Sequence, residues 1–137
     1  MHRSKLVWVR GAGELGSAVA HLLYRVGYSV FMSDISPPLA IRRPVTFSDA
    51  LLDGMSEVEE VRAIKKDSSE PLPPFPWKHI LIFEDAPEQL LRYSPVIIID
   101  ARMLKHYTED YRNWANLVIG LGPGFDTDKN CHRAIET

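Results

Sequence analysis

The stretch that decides the fold is VWVRGAGELGSAV, residues 7–19. The run at 5–10 is short, rich in Val and Trp and followed by glycine, which predicts a buried strand. The residues after the glycines have the spacing of an amphipathic helix. The apolar stripe of this predicted helix consists of Leu15, Ala18, Val19, Leu22, Leu23 and Val26.

A second strand is predicted directly after this helix. Gly27 stands where a left-handed helix end is expected, because glycine lacks the Cβ that penalises positive φ. The residues at 28–34, YSVFMSD, then have the composition of a strand. Strand, glycine-rich loop, helix and strand together indicate a βαβ unit with a right-handed crossover.

The rest of the chain alternates between apolar strand patterns and short helical patterns. Strands are predicted at 79–83, 95–100 and 117–125, the last running into a second glycine-rich loop. The stretch 57–66 is predicted to be a strand, although Val58, Val61 and Ile64 also fit helical spacing. Helices are predicted at 48–54, with Ser48 as its cap and Phe47 packed on Leu52, and at 87–93; one or two helical turns are expected at 103–115. Prolines make 35–44 a loop and keep 67–77 out of regular structure.

This alternation predicts an α/β fold, with a Rossmann-like open, mostly parallel sheet and helices on both faces. The 137 residues suffice for one domain spanning 1–137. A net charge of −2 without basic tracts gives no indication of nucleic acid or an anionic membrane as partner. One cysteine, no signal peptide and no membrane-spanning run indicate a cytoplasmic protein.

The first candidate site is the glycine-rich loop with Gly11, Gly13 and Gly16. In dinucleotide-binding loops, such glycines allow a tight turn, close approach to pyrophosphate and close helix packing. Asp34, which ends the next strand, is placed to accept ribose hydroxyls and favours an unphosphorylated ribose. Arg42 and Arg43 complicate that preference. The alternative is that the glycines serve only packing and Asp34 is a solvated strand end.

The second candidate site follows the strand at 95–100. Asp100 ends this strand, at the edge where open α/β sheets place their ligands. Arg102 offers a planar fork for a phosphate or carboxylate, and Lys105 a point charge. The alternative is a surface pair of Asp100 and Arg102.

The third candidate site is the loop GLGPGF, with Gly120, Gly122 and Gly124. Its successive N–H groups could form an anion-binding nest, although on local grounds a plain strand-ending turn explains the glycines slightly better. Because all three loops follow strands expected to be parallel, we expect them to open on one edge of the sheet as a ligand crevice. Cys131 is expected to be non-catalytic, and the acids at 57–60 to be a solvated face.

Three stretches resemble the selenium-dependent molybdenum hydroxylase system protein family, which is similar in theme to the accessory factors of xanthine dehydrogenase maturation. These stretches are VRGAGELGSAVAHLLYRVGYSVFMSDISPPLAIRRPVTFSDALLDG, IIIDARMLK and LVIGLGPGF with CHRAIET. The resemblance implies a Rossmann-like protein that helps to mature or load a molybdenum-containing hydroxylase. Its signature positions would be Gly11, Gly13, Gly16, Arg42, Arg43, Asp100, Arg102, Lys105 and the loop from Gly120 to Gly124.

The expected ligand is small and phosphorylated: NAD or another nucleotide, or a molybdopterin-type cofactor. The expected partner is a molybdenum hydroxylase subunit, and self-association is a further hypothesis. Two alternatives remain open: an NAD-dependent oxidoreductase and a non-catalytic docking module. Family members continue beyond the segment that resembles IET, so this chain is either a short form or a truncated product.

Overall fold

The computed structural model describes residues 5–35 and 45–136, which contain one eight-stranded sheet. The strands are β1 (Leu6–Arg10), β2 (Ser29–Asp34), β3 (Met55–Val58), β4 (Val61–Lys65), β5 (Ile80–Glu84), β6 (Ile97–Asp100), β7 (Leu117–Leu121) and β8 (Arg133–Ile135). Their order in the sheet is β3-β4-β5-β2-β1-β6-β7-β8. The helices are α1 (Glu14–Arg25), α2 (Ala50–Asp53) and α3 (Pro87–Leu90), the last followed by a 3-10 turn at Leu91–Tyr93. The predicted α/β class and mostly parallel sheet are confirmed.

The strand order reverses at β1, in the centre of the sheet. β1 pairs in parallel with β2 on one side and with β6 on the other, and each neighbour leads to strands further out. Every other pairing is also parallel, except that of the edge strand β3 with β4. The carboxyl ends of β1, β2, β5, β6 and β7 therefore lie along one edge, as expected.

Helix α1 packs on one face of the sheet, but the residues that it buries differ from those of the predicted apolar stripe. Its buried residues are Gly16, Ser17, Ala20 and His21. Leu22 and Val26 are each 61% exposed and Ala18 is exposed as well, so three of the six residues of the predicted stripe do not face the core. The reason is that small residues let the helix approach the strands closely, which the apolar pattern alone does not reveal. Gly27 has a φ of +108° and ends the helix as predicted.

The opposite face carries an aromatic core, formed with few helical residues. Loops and the short α3 cover it, and Trp8 stacks on Phe31 with ring centroids 5.8 Å apart. The buried members of this aromatic core are Leu6, Trp8, Phe31, Trp77, Leu81, Phe83, Leu90, Ile98, Tyr111, Val118, Phe125 and Cys131.

Several local predictions need correction. The stretch 57–66 is not one strand, because β3 and β4 form a hairpin that turns at Glu59 and Glu60. The expected helical turns at 103–115 are reduced to a single hydrogen-bonded turn, in which the N–H of Trp114 donates to the carbonyl of Tyr111 at 2.8 Å. The rest of this segment follows an irregular path over the aromatic core. β7 is not the last strand, since β8 adds a further one at the edge of the sheet.

The short helix near residue 50 also differs from its prediction. Asp49, rather than Ser48, precedes α2, and no side chain caps it. Phe47 is buried in the core, whereas Leu52 is 52% exposed and does not share that environment. Gly54, with a φ of +86°, ends the helix as predicted. Within the described part of the chain, no helix has the length and apolar character needed to cross a membrane.

Candidate functional site

The glycine-rich loop leaves β1 in a sharp turn against the segment that follows β6. Gly11 has a φ of +107°, and a Cβ there would lie 2.9 Å from the carbonyl carbon of Ala101 and the nitrogen of Arg102. Both the backbone conformation and the lack of space therefore require glycine. The first and second predicted sites are thus brought into direct contact.

The other two glycines of the loop have different environments. A Cβ on Gly16 would lie 2.0 Å from the carbonyl oxygen of Gly11, so this glycine lets α1 sit on the turn. A Cβ on Gly13 would have no atom of the described chain within 4 Å. Gly13 has ordinary negative φ, and the space beside it is open. Packing explains Gly11 and Gly16 but not Gly13.

Asp34 ties the glycine-rich loop to the end of β2. Its Oδ2 accepts the N–H of Ala12 at 2.8 Å, and its Oδ1 accepts the N–H of Ile35 at 2.7 Å. The carboxylate is half-buried and is therefore not a solvated strand end. A carboxylate can accept about four hydrogen bonds, so each oxygen retains capacity for another donor.

A network of charged side chains lies beside this loop, on the aromatic-core face. Arg10, at the end of β1, donates from Nε and Nη2 to the carboxylate of Asp85, at distances from 2.7 to 3.1 Å. Ser33 Oγ donates to Asp85 at 2.6 Å and accepts the indole N–H of Trp8 at 2.9 Å. Arg10 also reaches the carboxylate of Glu109 at 3.1 Å. These bonds join the ends of β1, β2 and β5.

The second half of the network contains the predicted pair Asp100 and Arg102. Asp100 is completely buried and accepts from Nε and Nη2 of Arg102 at 2.7 to 3.1 Å, so the pair is not a surface ion pair. The hydroxyl of Tyr111 donates to Asp100 at 2.9 Å and accepts from both Arg10 and Arg102. Arg102 Nη1 makes no hydrogen bond to any residue that the structure describes, and the side chain is 22% exposed.

The ionisation of the network follows from burial and charge. Burial and the nearby Asp100 carboxylate raise the pKa of Tyr111, which remains a neutral hydroxyl at ordinary pH. Burial disfavours the charge on Arg10, but its hydrogen bond to Asp85 and the neighbouring anionic groups outweigh this and raise its pKa. Burial likewise opposes ionisation of Glu109, yet its hydrogen bonds and the Arg10 charge lower its pKa.

The third predicted loop lies on the same edge, next to the second. A Cβ on Gly120 would lie 2.0 Å from the ring of Phe125, and one on Gly124 would lie 2.5 Å from the carbonyl oxygen of His106. The N–H of Gly122 donates to the carbonyl of Ile135 at 2.9 Å. These observations agree with the plain-turn interpretation, in which the glycines make room for packing and for β8.

The remaining predicted residues lie apart from the network or outside the described chain. Lys105 is exposed, and Arg42 and Arg43 lie outside the described residues. Cys131 is completely buried, and burial raises the pKa of its thiol. Among residues 5–35 and 45–136, no group of three His, Cys, Asp or Glu side chains could hold a metal ion.

Sequence reasoning missed four ionisable members of the network, namely Arg10, Asp85, Glu109 and Tyr111. Arg10 carried one usable signal, a charge at the end of an otherwise apolar strand. Asp85, Glu109 and Tyr111 carried none, because they come from loops whose path the sequence pattern does not reveal.

An open groove of about 560 Å³ adjoins Asp85 between the ends of β4 and β5. Its lining includes Lys65, Lys66 and Glu84.

Comparison with known proteins gives one curated relative. The chain is 36% identical over 135 residues to a protein of Escherichia coli (strain K12) described as uncharacterized protein YqeB. The alignment covers 97% of this chain and 25% of that protein, so the chain spans about a quarter of the length of the curated relative it matches. No protein-family model matches the chain. No solved structure matches it either.

Proposed function

We propose that this chain is an accessory protein for the maturation of a molybdenum-containing hydroxylase of the xanthine dehydrogenase type. In this proposal its glycine-rich edge binds a nucleotide or another phosphorylated cofactor in a Rossmann-like crevice. The observation that carries the binding proposal is the open space beside Gly13, in a loop whose other two glycines are needed for packing.

The strand order supports this choice of fold and position. The six strands β5-β2-β1-β6-β7-β8 follow the order 3-2-1-4-5-6 of doubly wound dinucleotide-binding sheets. Ligands of such sheets bind outside the carboxyl ends of the strands, where the order reverses. In this chain that position is the edge at β1 and β6, where the glycine-rich loop contacts the segment after Asp100.

The start of α1 supplies the chemistry for a phosphate. The N–H of Ser17 makes the first helical bond, to the carbonyl of Gly13, so the N–H groups of Leu15 and Gly16 have no acceptor within the helix. Together with the positive end of the helix dipole, these groups favour an anion. A phosphate beside Gly13 would use the space that a larger residue would occupy.

Two further side chains are placed to contact such a ligand. Asp34 has acceptor capacity left for ribose hydroxyls, as its two oxygens each accept one backbone N–H. The backbone nitrogen of Arg102 lies against Gly11, and the Arg102 side chain is partly exposed. Its Nε and Nη2 pair with Asp100, and its Nη1 makes no hydrogen bond to a described residue, so Nη1 can donate to a ligand. A guanidinium already held by a carboxylate is oriented before the ligand arrives, which reduces the entropy lost on binding.

The maturation role rests on the resemblance of three sequence stretches to the molybdenum hydroxylase system proteins. The chain aligns with a quarter of a longer protein that is itself described as uncharacterized, so this similarity assigns no activity.

Two measurements test the proposal. The melting temperature of the purified protein is recorded with an excess of NAD⁺, ADP or molybdopterin, and a concentration-dependent increase with at least one is expected. Failure of all three to shift the melting temperature would contradict the binding proposal. Tagged protein from its own host is also expected to retain a molybdenum hydroxylase subunit; retention of none would contradict the maturation role.

A further inference from the structure

A second groove lies away from the glycine-rich edge, where the proline-rich segment 67–77 crosses β4 and β5. It has a volume of about 340 Å³, within the size range of small-molecule pockets. The wall is formed by Pro73, Pro74, Pro76 and Trp77, and the floor by Ile64 and Leu81. None of these residues belongs to the glycine-rich loop or the charged network.

The wall of the groove is held in one arrangement by its own contacts. The indole N–H of Trp77 donates to the carbonyl oxygen of Pro73 at 3.0 Å. Phe75 stacks on Trp77, with centroids 5.1 Å apart and planes 14° from parallel. Prolines restrict the backbone further, so little conformational freedom remains to be lost when a ligand binds.

The charged residues of this groove are all basic. Lys66, Lys78 and His79 line it, and no Asp or Glu does. The groove at the ends of β4 and β5 shares Lys66 with this one but also includes Asp67, Glu84 and Asp85. Neither Lys66 nor Lys78 forms an ion pair with any residue in the described ranges.

We propose that this groove binds a small amphiphilic anion, a ring or short hydrocarbon that carries a carboxylate or sulfonate. The apolar part would lie against Trp77 and the prolines, and the anionic group would face Lys66 and Lys78. Apolar contact supplies affinity here, whereas the lysines select for negative charge. This proposal is independent of ligand binding at the glycine-rich edge.

The probe for this site is 8-anilinonaphthalene-1-sulfonate, with the neutral N-phenyl-1-naphthylamine as its uncharged counterpart. Fluorescence titration of the folded protein is expected to show saturable binding of the sulfonate with one site. In a ¹H–¹⁵N spectrum, saturation is expected to shift the indole signal of Trp77 and to leave those of Trp8 and Trp114 in place. Absence of saturable binding, or an unmoved Trp77 signal, would overturn the proposal.

A charge-removing variant tests the selection for anions. Lys66→Gln with Lys78→Gln is expected to weaken sulfonate binding by about fivefold or more, since each exposed pair of opposite charges contributes about 1 kcal/mol in water. Binding of the neutral probe is expected to stay unchanged. The matched control, Lys5→Gln with Arg25→Gln, removes two exposed positive charges outside the groove and is expected to leave both affinities unchanged.

Thermal unfolding of both double variants checks that each remains folded. If Lys66→Gln with Lys78→Gln leaves sulfonate affinity as in the wild type, or weakens both probes equally, the proposed charge selection is wrong. An equal loss of sulfonate affinity in the control variant also overturns it, because net charge rather than the groove would then explain binding.

Discussion

The carboxylate of Asp85 and the guanidinium of Arg10 form a bidentate ion pair that spans the end of β2. The pair joins β1 to the segment after β5, although β2 separates those strands in the sheet. The hydroxyl of Ser33, on β2, donates a hydrogen bond to the same carboxylate. These side-chain contacts therefore connect the ends of β5, β2 and β1 at the edge where the glycine-rich loop begins.

Removing the charge of Asp85 tests how much this pair stabilises the fold. Asp85→Asn is expected to lower the free energy of unfolding by about 3 kcal/mol, because it leaves the nearly buried Arg10 without its main partner. Chemical denaturation measures this change. Asp110→Asn, which breaks the exposed pair with Arg112, is the control and should leave stability unchanged. Equal effects of the two substitutions would contradict the importance of the crossing pair.

The glycines at 13 and 16 are expected to differ in how strongly alanine destabilises the protein. Gly16→Ala places a Cβ 2.0 Å from the Gly11 carbonyl oxygen, so the helix must shift, at a cost of about 2–3 kcal/mol. Gly13→Ala meets open space with an ordinary φ and should cost less than about 1 kcal/mol. Thermal and urea unfolding distinguish the two. A Gly13→Ala protein as unstable as Gly16→Ala would mean that both glycines serve packing.

The ion pair of Arg10 with Glu109 should contribute to stability only above acid pH. Because the folded protein lowers the pKa of Glu109, the contribution is complete above the ordinary value of 4.5 and is lost as pH falls through the lowered pKa. Glu109→Gln is expected to destabilise the protein at neutral pH by no more than about 1 kcal/mol, since half of this side chain is exposed.

Urea unfolding across this pH range measures the Glu109 contribution. The difference between wild type and Glu109→Gln should shrink toward zero at the acid end. Glu88→Gln, at an exposed glutamate in α3, serves as the control. A difference that stays constant, or grows as pH falls, would show that the glutamine acts through something other than lost charge.

Cys131 is expected to be unreactive in the folded protein. It is completely buried, and burial raises the pKa of its thiol, so both access and thiolate are lacking. Labelling with an aromatic disulfide reagent should proceed at least about a hundredfold faster in urea than in buffer. Labelling of the native protein at the rate of free cysteine would point to a reactive thiol instead.

The sequence predicts the centre of this fold better than its edges. β1, β2, β5, β6 and β7 are each revealed by an apolar run, because both faces of a central parallel strand are buried. β8 has only three residues, all exposed, so it lacks that signal.

The hairpin between β3 and β4 lacks a recognisable turn. A two-residue turn with positive φ at both central positions normally contains Asn-Gly or similar pairs. Here Glu59 and Glu60 occupy these positions, with φ of 46° and 71°. Glutamate is uncommon in that conformation, so the sequence around the turn gave no reason to divide 57–66 into two strands.

The candidate site was predictable only in its local part. The glycine-rich loop, Asp34 and the pair of Asp100 with Arg102 follow from short-range patterns and from the rule that parallel strands share one edge. The contact of Tyr111 with both arginines depends on the irregular path of 103–115. The spacing of apolar residues in the sequence does not predict this path, because the conformation of the segment is set by packing on the aromatic core.

The central claim is that the glycine-rich loop holds a phosphorylated ligand at Gly13. The most direct test is calorimetric titration of wild type and Gly13→Ala with ADP and with NAD⁺. The account predicts measurable binding of at least one nucleotide to the wild type, weakened by at least about tenfold in a Gly13→Ala protein whose melting temperature is nearly unchanged. Equal affinity of the two proteins, or no binding by the wild type, would contradict it.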